Sequence, residues 1–229
     1  MSGDDVAALC RRLQRLPAAV SSDVLGEMGL HDQVLSNAIR LVGRSRIVAG
    51  PALCVRGEQS AGASMVGFEM DRRLPQGSVA IIATGGWRGS AVIGGNIGLS
   101  FKLRGAAAVL TDGGARDTDE FAGIDLPLFC AFTTPLAPKG RWTYTALEEP
   151  VELPGQSGRA VVVRPGDIVH GDADGAVIVP RQHLAQVVPD AEELERVEGR
   201  IKEALRAGAD REKAYADNPR FVHIRKIAG

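Results

Sequence analysis

The sequence predicts an α/β fold built on a sheet of mixed direction. Three observations predict it. The middle of the chain, Val79 to Thr111, alternates strand, helix and strand. The stretch from Val151 to Val179 is a run of short strands separated by turn residues. Both ends carry helical patterns, and no linker separates them from the middle. Strand–helix alternation favours parallel neighbours, while consecutive strands favour antiparallel ones. The expectation is one domain over residues 1–229, with N-terminal helices over about 1–30 and a C-terminal helical extension over about 181–229.

The elements follow in order. Residues 4–16 read as a helix, since Val6, Leu9, Cys10, Leu13 and Leu16 recur at spacings of three and four. Asp4 and Asp5 suit its positive end, and Pro17 ends it. A second, shorter helix runs from Asp23 to Met28, with Ser21 or Ser22 as cap and Gly29 as stop. Arg46 to Val55 reads as a strand whose Gly50-Pro51 break places it at an edge or a bulge. Ala63 to Arg73 reads as a helix with Met65, Val66 and Met70 on one side. Val79 to Ala83 is a buried strand, and a glycine-rich loop follows. Leu126 to Thr133, Val151 to Leu153 and Ala160 to Val163 read as further strands. Asp167 to His170 and Ala176 to Val179 form a hairpin around a DADG turn. A long helix from Arg181 to Ala207, open to a break at Pro189, stops at Gly208. A short helix from Asp210 to Asp217 and a strand-like FVHIRKI close the chain.

The stretch Gly94 to Asp117, GGNIGLSFKLRGAAAVLTDGGARD, carries the chemistry. Asn96 to Arg104 reads as a helix stopped by Gly105, and Ala106 to Thr111 as a buried strand. The DGGARD turn then delivers Arg116 and Asp117 side by side. A helix start opened by glycines offers unpaired N–H groups to an anion such as a carboxylate. Arg116 can grip the same anion through two parallel hydrogen bonds, and Asp117 can hold a hard metal ion. Taken alone, the same residues also read as an ordinary polar surface turn.

Composition narrows the function classes. The chain has 229 residues, 45% hydrophobic and 24% charged, as in an ordinary globular protein. A net charge of −1 argues against a nucleic-acid surface, which needs a basic excess. No window reaches the ~18 apolar residues of a membrane span, and no leader pattern opens the chain. Cys10, Cys54 and Cys130 are far apart, and the last two lie in apolar runs, so they read as buried thiols of a cytoplasmic protein. His31, His170, His183 and His223 are scattered and read as surface or packing residues. Asp172 and Asp174 begin like a calcium loop, but no glutamate completes one, so they read as a hairpin turn.

Four segments together resemble the RraA-like family, which holds the regulators of ribonuclease activity and the metal-dependent 4-hydroxy-4-methyl-2-oxoglutarate aldolases. They are SSDVLGEMG, GPALCV, the Gly94–Asp117 stretch and VVVRPGDIVHGDADGAVIVP. The resemblance implies a swivelling α/β/β/α sandwich that assembles as a homotrimer or hexamer, with active sites between subunits. It implies a divalent-metal-dependent lyase acting on a 2-oxo acid through a pyruvate enolate, by retro-aldol cleavage or oxaloacetate decarboxylation. The alternative within the family is a non-catalytic regulator that binds a protein such as a ribonuclease.

By the same resemblance, Asp117 is the metal ligand, with Mg2+ or Mn2+ as the ion. Arg116 and the helix start around Gly95, Asn96, Ile97 and Gly98 hold the substrate carboxylate. Glu198, ten residues before Gly208, is the glutamate contributed by the adjacent subunit. Asp23 is an acidic residue that reaches the metal's water shell. On residue type alone, Asp23 equally reads as a helix-opening carboxylate and Glu198 as a solvated helix residue. One position departs from the pattern. The family's aldolases carry an acidic residue, twenty residues and then Arg-Asp, and here that position is Gly95. Decarboxylation needs no base to deprotonate a hydroxyl, so it survives this loss better than aldol cleavage does.

Overall fold

The computed structural model describes residues 1–60, 62 and 64–227. Ala63, the expected start of the third helix, lies outside them. The chain opens with α1 (Gly3–Leu13) and α2 (Ala18–Met28), followed by β1 (Arg40–Val42) and β2 (Val48–Gln59). Next come α3 (Val66–Arg73), β3 (Val79–Ala83), β4 (Ala91–Ile93), α4 (Gly95–Leu103), β5 (Ala108–Thr111) and β6 (Gly114–Ala115). α5 (Thr118–Gly123), β7 (Leu128–Cys130), β8 (Phe132–Thr133) and β9 (Trp142–Leu147) follow. β10 (Val151–Pro154), β11 (Ala160–Val163), β12 (Ile168–Asp172) and β13 (Gly175–Val179) complete the strands, and α6 (Leu184–Arg206) and α7 (Arg211–Asp217) complete the helices.

The expected mixed sheet is present. Eight strands form it, in the order β1-β7-β5-β3-β2-β12-β13, with β9 also paired to β2. β2, β3, β5 and β7 run parallel, and β1, β9, β12 and β13 pair antiparallel. Alternate residues of β3 show how it is covered. Val79, Ile81 and Ala83 face a core shared with Val151, Leu153, Val161 and Val163 of the β10–β11 hairpin. Ala80 and Ile82 face a core shared with Met70 of α3, Phe101 of α4 and Phe121 of α5. α1, α2 and α6 cover the β12–β13 end through Val6, Leu13, Leu25, Leu184 and Val188. Arg12 of α1 clamps Glu192 of α6 through two bonds of 2.8 and 2.7 Å.

The structure corrects several expectations. β2 is not an edge strand. It lies inside the sheet and changes partners along its length, from β12 at Val48–Pro51 to β3 from Ala52 onward. The Ala52 N–H donates toward Asp167, on the β12 side, so the Pro51 nitrogen faces the opposite side, where β3 has not yet begun. The missing N–H of Pro51 therefore costs no ladder bond.

α2 starts at Ala18 behind Pro17, not at Ser21 or Ser22. Ser21 is fully buried, and its hydroxyl meets His170 Nδ1 at 2.8 Å. α1 ends at Leu13, before Pro17. Met65 is 60% exposed, whereas Met70 alone anchors α3 in the core. α6 runs through Pro189 without a break. The final segment is not a strand. It turns back on α2, with the Ile227 N–H donating to Met28 O at 3.0 Å. Gly29, Gly105 and Gly208 do take left-handed φ values at helix ends.

The cysteines are buried and free, and burial pushes the Cys10 and Cys130 thiols up to about 11 and Cys54 up to about 12. His170 is a packing histidine, fully buried between Ser21 and the Leu16 carbonyl, which lies 3.0 Å from Nε2. Burial holds its pKa below the ordinary value of 6.5, against smaller opposing effects of the Leu16 and Leu13 carbonyls and Asp172. The unfolded chain therefore binds a proton that the folded chain resists, and stability falls as the pH drops below about 6.5. Thermal denaturation between pH 7.5 and 5.5 is expected to show this fall. The dependence should flatten in His170→Asn; an equal slope in both proteins would remove His170 as its source.

Candidate functional site

A second, three-stranded sheet builds the site. β4, β6 and β8 lie parallel, in that order, through Ala91–Gly114, Ile93–Ala115 and Ala115–Thr133 pairs. Carboxyl ends of parallel strands are where open α/β sheets place ligands. α4 starts directly after β4, and Arg116 and Asp117 leave β6 at the same edge. Close packing demands the two glycines of the DGGARD turn. A Cβ on Gly113 would press 2.6 Å from Thr84 Cγ2, and one on Gly114 would press 2.5 Å from the Phe132 ring. Asp112, the first residue of that turn, is 5% exposed and structural. Its carboxylate accepts from Thr84 N at 2.6 Å and Gly86 N at 3.0 Å, and so holds the glycine loop before β4.

Asp117 has a left-handed backbone, φ 56 and ψ 38, a conformation that Asp tolerates better than most residues. This turns its carboxylate back onto α4. Oδ2 accepts from Gly95 N at 3.0 Å and lies 3.3 Å from Arg116 Nε. Oδ1 has no protein donor among the described residues. Among the described residues, the Asn96 and Ile97 N–H groups also have no acceptor in the chain, whereas Gly98 N donates to Gly94 O. The Arg116 and Asp117 side chains are 36% and 34% exposed. Arg116, Asp117, Gly95, Asn96, Ile97 and Gly98 are thus brought together. Two open amides and a guanidinium face the same solvent-reached edge, an arrangement able to bind a carboxylate.

Two consecutive glycines make room for two carboxylates. Asp117 Oδ2 stands 2.7 Å from where a Cβ on Gly94 would lie. A Cβ on Gly95 would strike the Glu120 carboxylate, whose carbon would be 2.6 Å away. Glu120 sits on α5, a helix absent from the sequence-based expectations, and its carboxylate has no protein partner among the described residues. Thr118-Asp119-Glu120, directly after a turn, was the signal for that helix start.

Asp23 and Glu198 come together, but not at Arg116. Arg220 Nη2 bonds both, to Asp23 Oδ2 at 2.6 Å and Glu198 Oε1 at 2.6 Å. The Arg220 guanidinium also lies 4.5 Å over the Phe221 ring, and its Nε is buried without an acceptor among the described residues. α2 and α6, which carry the two carboxylates, pack on each other and on the β12–β13 end of the sheet. Within one chain, no hydrogen bond or ion pair among the described residues joins them to Arg116 or Asp117. Cavities of the single chain lie away from Arg116, around Arg164 to Arg181 and between α1 and β2.

The donor set also limits which metal chemistry is open. Among the described residues, no three His, Cys, Asp or Glu side chains gather as a metal cage. The described residues therefore form no closed zinc site within one chain. They leave room for a hard ion held by one or two carboxylates together with water and substrate oxygens, the coordination that Mg2+ accepts.

The fold and this turn define an RraA-type α/β protein, and the comparisons agree. The chain belongs to the RraA-like family, described as Aldolase/RraA, whose pattern matches residues 18–178. It is 30% identical over 126 residues to an uncharacterized protein of Methanocaldococcus jannaschii, covering 53% of this chain and 55% of that one. It is 27% identical over 210 residues to a Halalkalibacterium halodurans protein provisionally named a 4-hydroxy-4-methyl-2-oxoglutarate aldolase, covering 90% and 88%. Among solved structures, Streptomyces coelicolor RraAS2, described as an unusual member of the RNase ES inhibitor RraA protein family, superposes with a TM-score of 0.74 at 26% identity. That match covers 87% of this chain and 96% of the other. No helix among the described residues is long and apolar enough to cross a membrane.

Substitution at Asp117 tests the local architecture. Asp117→Ala removes the acceptor for Gly95 N and places alanine in a left-handed conformation. A loss of about 1–2 kcal/mol in denaturant unfolding is expected. Asp117→Asn, which keeps both an acceptor and the left-handed tolerance, should lose less than half of that.

Proposed function

We propose that this protein is a divalent-metal-dependent lyase that cleaves a carbon–carbon bond of a 2-oxo acid through a pyruvate enolate. One observation carries the reading. Arg116 and the open amides of Asn96 and Ile97 stand beside Asp117, so a carboxylate and an adjacent keto oxygen find complementary groups at one edge. Arg116 and the two amides hold the carboxylate and fix the keto group's orientation. Their positive potential is in place before the reaction, where it stabilises charge developing on the keto oxygen. Asp117 would hold the metal, and Mg2+ or Mn2+ fits its chemistry. When bound, such an ion supplies Lewis-acid polarisation of the keto oxygen. The provisional aldolase name of the Halalkalibacterium relative supports the reading.

Asp23 and Glu198 enter as residues of a neighbouring subunit in a homotrimer or hexamer. The open surface around Arg116 in the single chain is consistent with a site completed in that way. Arg220 then stands as the partner that fixes both carboxylates in one orientation.

A second reading has its own observation. Gly95 gives α4 no acidic side chain at its first residue, and Arg220 already pairs Asp23 and Glu198. Both facts suit a regulator that binds a protein and turns over nothing, in line with the description of RraAS2 as a member of an RNase ES inhibitor family.

A coupled assay of pyruvate release separates the two. Oxaloacetate and 4-hydroxy-4-methyl-2-oxoglutarate would each be offered with Mg2+ or Mn2+, and again with chelator. Chelator-sensitive release is expected, with Arg116→Ala reducing kcat/KM by roughly 100-fold or more through the lost carboxylate contact. No release from either substrate at any metal concentration would exclude the lyase reading for these substrates.

A further inference from the structure

We propose that Glu120 is the acid–base group of this site and that Gly95 is the residue that admits it. The inference rests on the lyase reading above and adds a role to a residue that reading leaves idle. Retro-aldol cleavage requires a group to take the proton of the hydroxyl two carbons from the keto carbon. Arg116 is a permanent cation, and the amides can only donate. Asp117 already accepts from Gly95 N and lies against Arg116. Asp23 and Glu198 of a neighbouring subunit are already paired with Arg220, so the carboxylate that the same chain places free at this edge is Glu120.

Its placement is specific. Glu120 stands three residues after Asp117, with its N–H donating to the Asp117 carbonyl at 3.0 Å. α5 packs on α4, and the Glu120 carboxylate lies over the first residue of α4, in the space that a Gly95 side chain would occupy. Any side chain at 95 would displace it. Among the described residues its carboxylate makes no side-chain hydrogen bond or ion pair, so no protein group competes with substrate or water for it. Glu120 itself is solvent-exposed. A water between it and the substrate hydroxyl is therefore available to relay a proton.

In retro-aldol cleavage, Glu120, through one water, accepts the proton of the C4 hydroxyl. The C3–C4 bond breaks, its electron pair passes into the enolate over C3, C2 and the keto oxygen, and C4 becomes the carbonyl of the departing piece. The proton then returns from Glu120 to C3 and yields pyruvate. Oxaloacetate loses carbon dioxide instead, needs no hydroxyl proton removed, and uses Glu120 only for delivery to C3, where water can substitute.

Glu120→Gln separates these roles. Aldol cleavage is expected to fall by 100-fold or more in kcat with little change in KM, while oxaloacetate decarboxylation falls by less than about 10-fold. Oxalate, an enolate mimic, should still bind with Mn2+ by titration calorimetry, which shows that the variant is folded and its anion site intact. In the second variant pair, Gly95→Asp with Glu120→Ala should regain part of the aldol activity that Glu120→Ala loses. Equal losses on both substrates would overturn the assignment. A wild-type protein that decarboxylates but never cleaves the aldol would also overturn it, while leaving the lyase reading in place. Absence of both activities together with absence of oxalate binding would overturn the lyase reading, and this inference with it.

Discussion

The contact between the Asp117 carboxylate and the first amide of α4 is what the site depends on. It exists because Asp117 adopts a left-handed backbone just after β6. That single residue reverses the chain's direction, starts α5 and aims a carboxylate back at Gly95. One interaction therefore ties together the ends of two parallel strands, the start of α4 and the start of α5. Arg116 is held in the same step, because its own N–H donates to Ile93 O at 3.1 Å, the last residue of β4. The guanidinium, the carboxylate and the open amides are consequences of one turn, not separate placements.

That turn is feasible because its neighbours are small. Gly113 and Gly114 let β5 and β6 pass under Thr84 and Phe132 at distances no side chain would allow. Asp112 anchors the preceding glycine loop, so the path into β4 is set from the same turn. Gly94 and Gly95 then leave volume for the Asp117 and Glu120 carboxylates. Four glycines thus act as excluded volume in reverse: each absence of a side chain is filled by a group from another element.

The other acidic pair shows a different physical arrangement. Asp23 and Glu198 would repel one another on adjacent helices, and Arg220 from the returning C-terminal segment offsets both charges. The strand-like FVHIRKI pattern hid this, since Phe221, Ile224 and Ile227 recur at every third position and pack on the α1, α2 and α6 core, not in a sheet. Pro51 misled in the same way. A proline in a strand pattern suggests an edge, but the pattern cannot show that β2 changes partners at that very residue.

Local information was sufficient wherever the cause was local. The helix and strand of the Gly94–Asp117 stretch, its left-handed Gly105 cap, the β12–β13 hairpin and the adjacency of Arg116 to Asp117 all follow from periodicity, turn chemistry and chain order. The residues named for the carboxylate site are together because they are close in sequence and joined by one strand. What sequence reasoning missed came from contacts across many residues. The β4-β6-β8 sheet consists of strands two or three residues long, too short to show a period. α5 is a six-residue helix hidden after the turn. Ser21 read as a cap until the fold brought His170 to it, 149 positions away. Gly95 read as a loss until α5 placed Glu120 over it. A sequence specifies which residue is missing from a position; only tertiary packing decides what fills the space, because that volume is shared by elements the chain order keeps apart.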